Sequence, residues 1–244
     1  MISLERRTGL PIFLKTDNSL ASKGIKLPKP DVRTLKQIKP VLLSKKTKIR
    51  KFYYMYRDVA QNPVLKKYNV RFDITVIPHH EIGKEEIKTA GHYHAHIKNT
   101  NLTYPEVYQV IHGEALYIFQ KKSGNKIVDV VAMEAKPGDV IIVPPNYGHI
   151  TVNAAKKTLV MANLVYSKFK SQYKEFEKKH GAAYYVVETK RGLEFLENPS
   201  YGMVPRIRFS EKKARGLKAP IYKDFMNNPK KYFFLFNPRH KITI

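Results

Sequence analysis

The chain has 244 residues, carries 45 Lys and Arg against 20 Asp and Glu for a formal net charge of +25, and contains no cysteine. The length allows a sizeable core in one domain with extensions, and the absence of cysteine excludes disulfides, thiolate metal sites and cysteine nucleophiles. No run of 18 apolar residues offers a membrane span.

Most of the basic excess is at the ends. Residues 1–51 hold 14 basic and 3 acidic side chains, and residues 205–244 hold 11 and 2. Such flanks can meet nucleic acid or an anionic surface, but solubility or a lysine bias accounts for them more simply. The N-terminus has no apolar core behind its early charges, so no signal peptide and a cytoplasmic location are expected.

In chain order, residues 1–47 read as a basic N-terminal arm. They are dotted with Lys and Pro and carry short apolar clusters at 10–14 and 40–43, which predicts an extended arm with little regular structure. Residues 48–204 read as the body. Runs at 52–57, 70–77, 106–111, 115–119, 126–131, 140–143, 149–152 and 159–162 are rich in β-branched and aromatic residues. Short strands at this spacing predict an all-β barrel or sandwich. His112-Gly113-Glu114 reads as a tight hairpin. Residues 168–180 read as one short helix with Phe169, Tyr173 and Phe176 on a face, and 183–188 returns to strand. Residues 205–244 read as a basic C-terminal extension with an aromatic cluster, Tyr232 to Phe236. Disordered segments are poor in such residues, so this extension is expected to pack on the body or on a partner.

Within the body, His92 and His94 form an H-x-H pair, Glu106 follows, and His149 comes later. On a strand, an H-x-H pair points both imidazoles to one face. A carboxylate and a third imidazole from neighbouring strands then close a set of three His and one Glu around one divalent cation. Fe, Mn, Ni, Co and Zn all suit it. His79, His80, His96 and His112 lack such partners and read as surface or loop residues.

The spacing Glu106-x6-Gly113 and the run Gly138-x5-Pro144-x4-His149-x3-Asn153 resemble the two motifs of the cupin superfamily. Gly113 and Gly138 stand where turns need positive φ or no side chain. Asn146 stands where that pattern has glycine, and Asn is the next most tolerant of left-handed geometry. Eleven residues separate His94 from Glu106, more than the pattern has, so 97–105 is expected to loop out. The combination Thr89-Ala-Gly-His-Tyr-His94, Pro-Glu106-Val-Tyr108 and Pro144-Pro-Asn-Tyr-Gly-His149-Ile-Thr-Val-Asn153 is similar to the cupin-type phosphoglucose isomerases of archaea. The likeness runs over about residues 48–200.

That resemblance implies a jelly-roll type β-barrel with N- and C-terminal extensions, one divalent metal ion per subunit and a homodimer. It implies that His92, His94, Glu106 and His149 bind the metal. It further implies that Thr75, Thr89 and Gly91, with Tyr53, Tyr166 and Tyr173, hold a sugar phosphate, and that Tyr108 joins Glu106 in the chemistry. Aldose–ketose isomerisation moves a proton or a hydride between C1 and C2 while charge builds on oxygen, which suits a Lewis acid. In an enediol route Glu106 is the base; in a hydride route it only shuttles hydroxyl protons. Two other classes stay open from the residues. One is a different metal cupin, such as a dioxygenase. The other is a sugar-phosphate-binding module whose flanks bind nucleic acid.

Overall fold

Runs of Val, Ile, Tyr and Phe between Gly, Pro and Asn breakers fold as strands. The computed structural model describes residues 1–237; positions 238–244 of the expected C-terminal extension lie outside the described residues. In chain order the strands are β1 (Ile2–Ser3), β2 (Ile12–Leu14), β3 (Leu20–Ser22), β4 (Asp31–Thr34), β5 (Lys51–Tyr56), β6 (Val70–Ile77), β7 (Glu81–Ile82), β8 (Glu85–Glu86), β9 (Glu106–His112), β10 (Ala115–Ser123), β11 (Lys126–Ala135), β12 (Val140–Val143), β13 (Tyr147–Val152), β14 (Leu159–Tyr166), β15 (Tyr184–Thr189), β16 (Gly192–Glu197) and β17 (Arg208–Phe209). The all-β class holds, with only short helices between the strands.

A six-stranded sheet, β12-β9-β14-β6-β5-β4, shares a core with a four-stranded sheet, β13-β10-β11-β17. Among the described residues no ladder joins the two sheets, so they form an open pair rather than a closed barrel. Alternation along the strands then sorts the side chains. Phe72, Ile74 and Val76 of β6 join Val160, Ala162 and Leu164 of β14 on the outer face. Met161 and Val110 point inward, against Ile118 and Ile150 of the second sheet. Both faces of the larger sheet are therefore covered, and β6 and β14 read as nearly continuous buried runs.

The outer face is covered by the flanks. Leu4, Ile12 and Leu14 come from the arm, and Ile221, Phe225, Tyr232 and Leu235 from the extension; all are buried there. Gln109, buried on β9, ties both together. Its Nε2 donates to the Arg7 carbonyl at 2.8 Å, and its Oε1 accepts from the Ile221 N–H at 2.8 Å.

Three local expectations differ from the structure. The arm is not irregular: β1-β2-β3 form a small sheet of their own, and β4 is the edge strand of the six-stranded sheet. Its apolar clusters had a sheet face to bury against, which a reading of the arm in isolation leaves out. His112-Gly113-Glu114 is not a hairpin. Strand β9 already pairs with β12 and β14, so Gly113 carries the chain across to the other sheet, where β10 pairs with β11 and β13. Gly113 has φ +77°, and a Cβ there would meet the Thr158 carbonyl oxygen at 2.5 Å. The helix expected over 168–180 is confined to Lys174–Lys178. Gln172 exchanges backbone hydrogen bonds with Tyr93 at 2.8 and 3.1 Å, which holds the preceding residues extended.

Candidate active site and metal centre

The four residues singled out by spacing meet between the two sheets. Glu106 opens β9 of the larger sheet, and His149 lies in β13 of the smaller one. His92 and His94 stand on an extended segment rather than in a regular strand. It is held by a bridge in which His92 N–H donates to the His149 carbonyl at 3.2 Å and His149 N–H to the His92 carbonyl at 3.1 Å. Tyr93, between them, points the other way. Its ring packs against Phe176, and its hydroxyl accepts from Gln120 Nε2 at 3.0 Å. The turn at Gly91 is strict: φ is +78°, and a Cβ would meet Ile150 and Phe176 at 2.5 Å.

The potential ligand atoms of His92, His94, Glu106 and His149 lie within 4.8 Å of one another. His92 Nε2 is 3.1 Å from His94 Nε2, and Glu106 Oε2 is 3.4 Å from the Nε2 atoms of His94 and His149. His94 Nδ1 contacts the Tyr104 carbonyl at 2.7 Å. A carbonyl only accepts, so Nδ1 carries the proton and Nε2 turns a lone pair into the cluster. Asn163 Nδ2 donates to Glu106 Oε1 at 2.7 Å, which leaves Oε2 buried without a hydrogen-bond partner. Converging imidazole lone pairs and an orphaned carboxylate oxygen are what a divalent cation satisfies, so the residues fit one. The group can hold a metal ion.

Charge states agree with that fit. Burial alone would raise the Glu106 carboxyl; positive charge at His149 and His94 outweighs it and holds the group well below the usual carboxylate range, and a cation in the cluster would act in the same sense. Burial, with the neighbouring His149 and His94, pushes His92 well down, and burial also lowers His149. Burial thus favours the neutral form of His92 and His149, and a neutral imidazole and an ionised carboxylate are the ligand forms. Burial, reinforced by the Glu106 charge, raises Tyr108 far above its ordinary value, so its hydroxyl stays protonated. That hydroxyl lies 3.4 Å from His149 Nε2.

Every residue expected at the site lines one cavity with the cluster: Tyr53, Thr75, Thr89, Gly91, Tyr108, Tyr166 and Tyr173. Thr89 is fixed by Thr151, whose N–H donates to Thr89 Oγ1 at 3.0 Å. Tyr53 accepts from the Ala90 N–H at 3.2 Å, and the Tyr173 ring lies 5.2 Å from that of His92. His79, His80, His96 and His112 stay out of the cluster; His96 is exposed and the others are half-buried. Asn146 is left-handed, with φ +70°. It also anchors the 97–105 loop: its Oδ1 accepts from Thr103 N–H at 2.9 Å, and its own N–H donates to Thr103 Oγ1 at 2.6 Å.

Several cavity residues escaped the sequence reading. Arg57, Arg71, Asn163, Phe169 and Ser171 also form the wall. Tyr104, from the loop, stacks between Tyr166 and Phe169 with centroids 5.0 and 4.8 Å away, and Phe169 lies 4.7 Å from His94. Arg33, from the arm, sets its guanidinium 5.0 Å from the Tyr173 ring. One signal was present: Arg71 and Asp73 have the parity of Thr75 in an otherwise apolar strand, as Asn163 has that of Met161 and Val165.

The family model for glucose-6-phosphate isomerase (GPI) matches residues 32–215. The glucose-6-phosphate isomerase of Thermococcus onnurineus is 28% identical over 194 residues, covering 78% of this chain and 96% of that one. The glucose-6-phosphate isomerase of Pyrococcus furiosus is 26% identical over 147 residues, covering 60% and 72%. Among solved structures, recombinant oxalate oxidase in complex with glycolate aligns with a TM-score of 0.35 and 20% identity over 53% of this chain and 56% of that one, a likeness too distant to bear on function. The family match runs from within β4 past β17 and takes in all four residues of the cluster, and the chain belongs to the glucose-6-phosphate isomerase family.

Proposed function

We propose that this protein is a metal-dependent isomerase that interconverts glucose 6-phosphate and fructose 6-phosphate. The observation that carries the reading is the convergence of His92, His94, Glu106 and His149 in one cavity with Thr75 and Thr89, in a chain of this family. In this reading those four residues hold one divalent cation, with Fe, Mn, Ni, Co and Zn as candidates. When bound, the cation polarises the sugar carbonyl and its neighbouring hydroxyl.

The chain's own groups do the rest. In this reading Glu106 would turn Oε2 to the cation, and Oε1, which accepts from Asn163 and keeps a second lone pair, would accept and return a proton at the C1–C2 edge. Tyr108 keeps its proton and offers a hydroxyl to developing charge on the sugar oxygen. Thr75, Thr89 and the backbone at Gly91 supply donors for the phosphate, and Tyr53, Tyr166 and Tyr173 wall the sugar. The Phe169 and Tyr104 rings exclude water from the His94 side. A dioxygenase is less well supported, because the cavity wall carries Thr75, Thr89, Arg57 and Arg71, which suit an anion.

We place the catalytic unit in residues 48–204, with 1–47 and 205–244 as extensions whose described segments cover its outer face and add β4 and β17 to its two sheets, and the molecule in the cytoplasm as a homodimer. Burial of the apolar side chains of both flanks against the body favours covers over nucleic-acid arms. Among the described residues, no helix is long and apolar enough to cross a membrane. Metal analysis of the purified protein, then interconversion of the two sugar phosphates with and without chelator, tests the reading. Stoichiometric metal and chelator-sensitive turnover are expected; a metal-loaded protein without turnover overturns it.

A further inference from the structure

Strand alternation sets Arg71, Asp73 and Thr75 on one face of β6, beside Tyr53 and Met55 of β5 and Arg57 at its end. Arg57, Arg71 and Thr75 all line the cavity. Asp73 is only 1% exposed. It accepts from Arg57 Nη1 at 3.2 Å, Arg71 Nε at 2.7 Å and the Asp58 N–H at 2.8 Å. One carboxylate between two guanidinium groups leaves a net positive charge in the wall.

The two arginines are held differently. Arg57 spends Nη1 on Asp73 and turns Nη2 to the Met55 sulfur at 3.1 Å. Arg71 bonds Asp73 through Nε alone. Its terminal nitrogens form no further hydrogen bond among the described residues, and its side chain is 30% exposed. A guanidinium fixed along one edge, with its fork open to a cavity, matches two oxygens of a phosphate.

We propose that Arg71, with Arg57 beside it, supplies the charge that binds the phosphate dianion of the substrate, and that Asp73 is the positioning residue that aims both. Thr75 and Thr89 add directed neutral donors to the same group. The inference rests on the proposed sugar-phosphate reading and extends it, since it locates what separates a phosphorylated sugar from a neutral one. Neutral donors alone discriminate weakly against water, whereas a partly desolvated guanidinium pair draws a dianion into the cavity.

The test uses metal-loaded full-length protein. Arg71→Met and Arg57→Met each leave Asp73 one guanidinium partner, so neither strands a buried carboxylate. Inorganic phosphate binding is measured by calorimetry, alongside KM and kcat for glucose 6-phosphate. Arg71→Met is expected to weaken phosphate binding and to raise KM, each by about tenfold or more, with a much smaller change in kcat. Arg57→Met is expected to follow in the same direction but less. Arg71→Lys, which keeps charge without the fork, is expected to recover part of the loss. Unchanged phosphate affinity in both Met variants, with only a lowered melting temperature, would make the triad structural and overturn the proposal. If wild-type protein binds phosphate through Arg71 yet turns over neither sugar phosphate, the isomerase reading falls and the anion subsite stands.

Discussion

Asn163 Nδ2 donates to Glu106 Oε1 at 2.7 Å, and this bond decides which carboxylate oxygen faces the histidines. The sheet register sets it up: Val165 pairs with Glu106, and Asn163 with the next inward-facing residue, Tyr108. Asn163→Leu should let the carboxylate rotate. Metal affinity and kcat/KM are each expected to fall by about 10- to 100-fold. Titration of apo-protein with the native metal, together with steady-state rates, checks this; unchanged values for both would reduce Asn163 to packing.

His149→Ala deletes one of the four proposed ligands and opens the bridge side of the cluster. Bound metal and isomerase activity should disappear together. A variant that retains stoichiometric metal at a normal rate would show that the assigned constellation is wrong.

Glu106→Gln keeps the shape and one weakly coordinating oxygen but accepts no proton. A loss of roughly a hundredfold or more in kcat is expected, with metal partly retained. Near-normal turnover would rule out an essential carboxylate at this position.

Thr89→Val preserves volume and removes a hydroxyl beside the cavity, leaving the Thr151 N–H without its acceptor. About 1–3 kcal/mol of binding should be lost, mainly as a raised KM for the phosphorylated sugar. A neutral sugar should be much less affected. Equal effects on both substrates would remove Thr89 from the phosphate end.

Phe225 is fully buried between the extension and the outer face of the larger sheet. Phe225→Ala should destabilise the fold by about 3–5 kcal/mol through the cavity it leaves, while metal content at room temperature stays intact. Denaturant unfolding followed by metal analysis separates the two effects. An unchanged midpoint would mean that the extension adds nothing to the stability of the body.

Residue types and spacings alone marked out the His92, His94, Glu106 and His149 group and the class of fold. Glycines at turns, Asn146 in the left-handed region and strands of alternating parity are local requirements, and local requirements are written in residue types and spacings. The H-x-H pair and His149 were legible for the same reason, since few dull roles demand three imidazoles and a carboxylate at that spacing. Their surroundings came from the pairing of distant strands. Whether Gly113 turns a hairpin or crosses between sheets depends on which edges of β9 are already taken. Tyr104 reaches the site because Asn146 anchors its loop, and Arg33 because β4 completes the sheet beside β5. The motifs leave out Arg57 and Arg71. They became part of the cavity wall through pairing with Asp73, which is 15 residues from Asp58 in sequence yet hydrogen-bonded to its backbone. Contacts of that kind depend on which strands become neighbours, and the spacing of residues along one strand does not encode them.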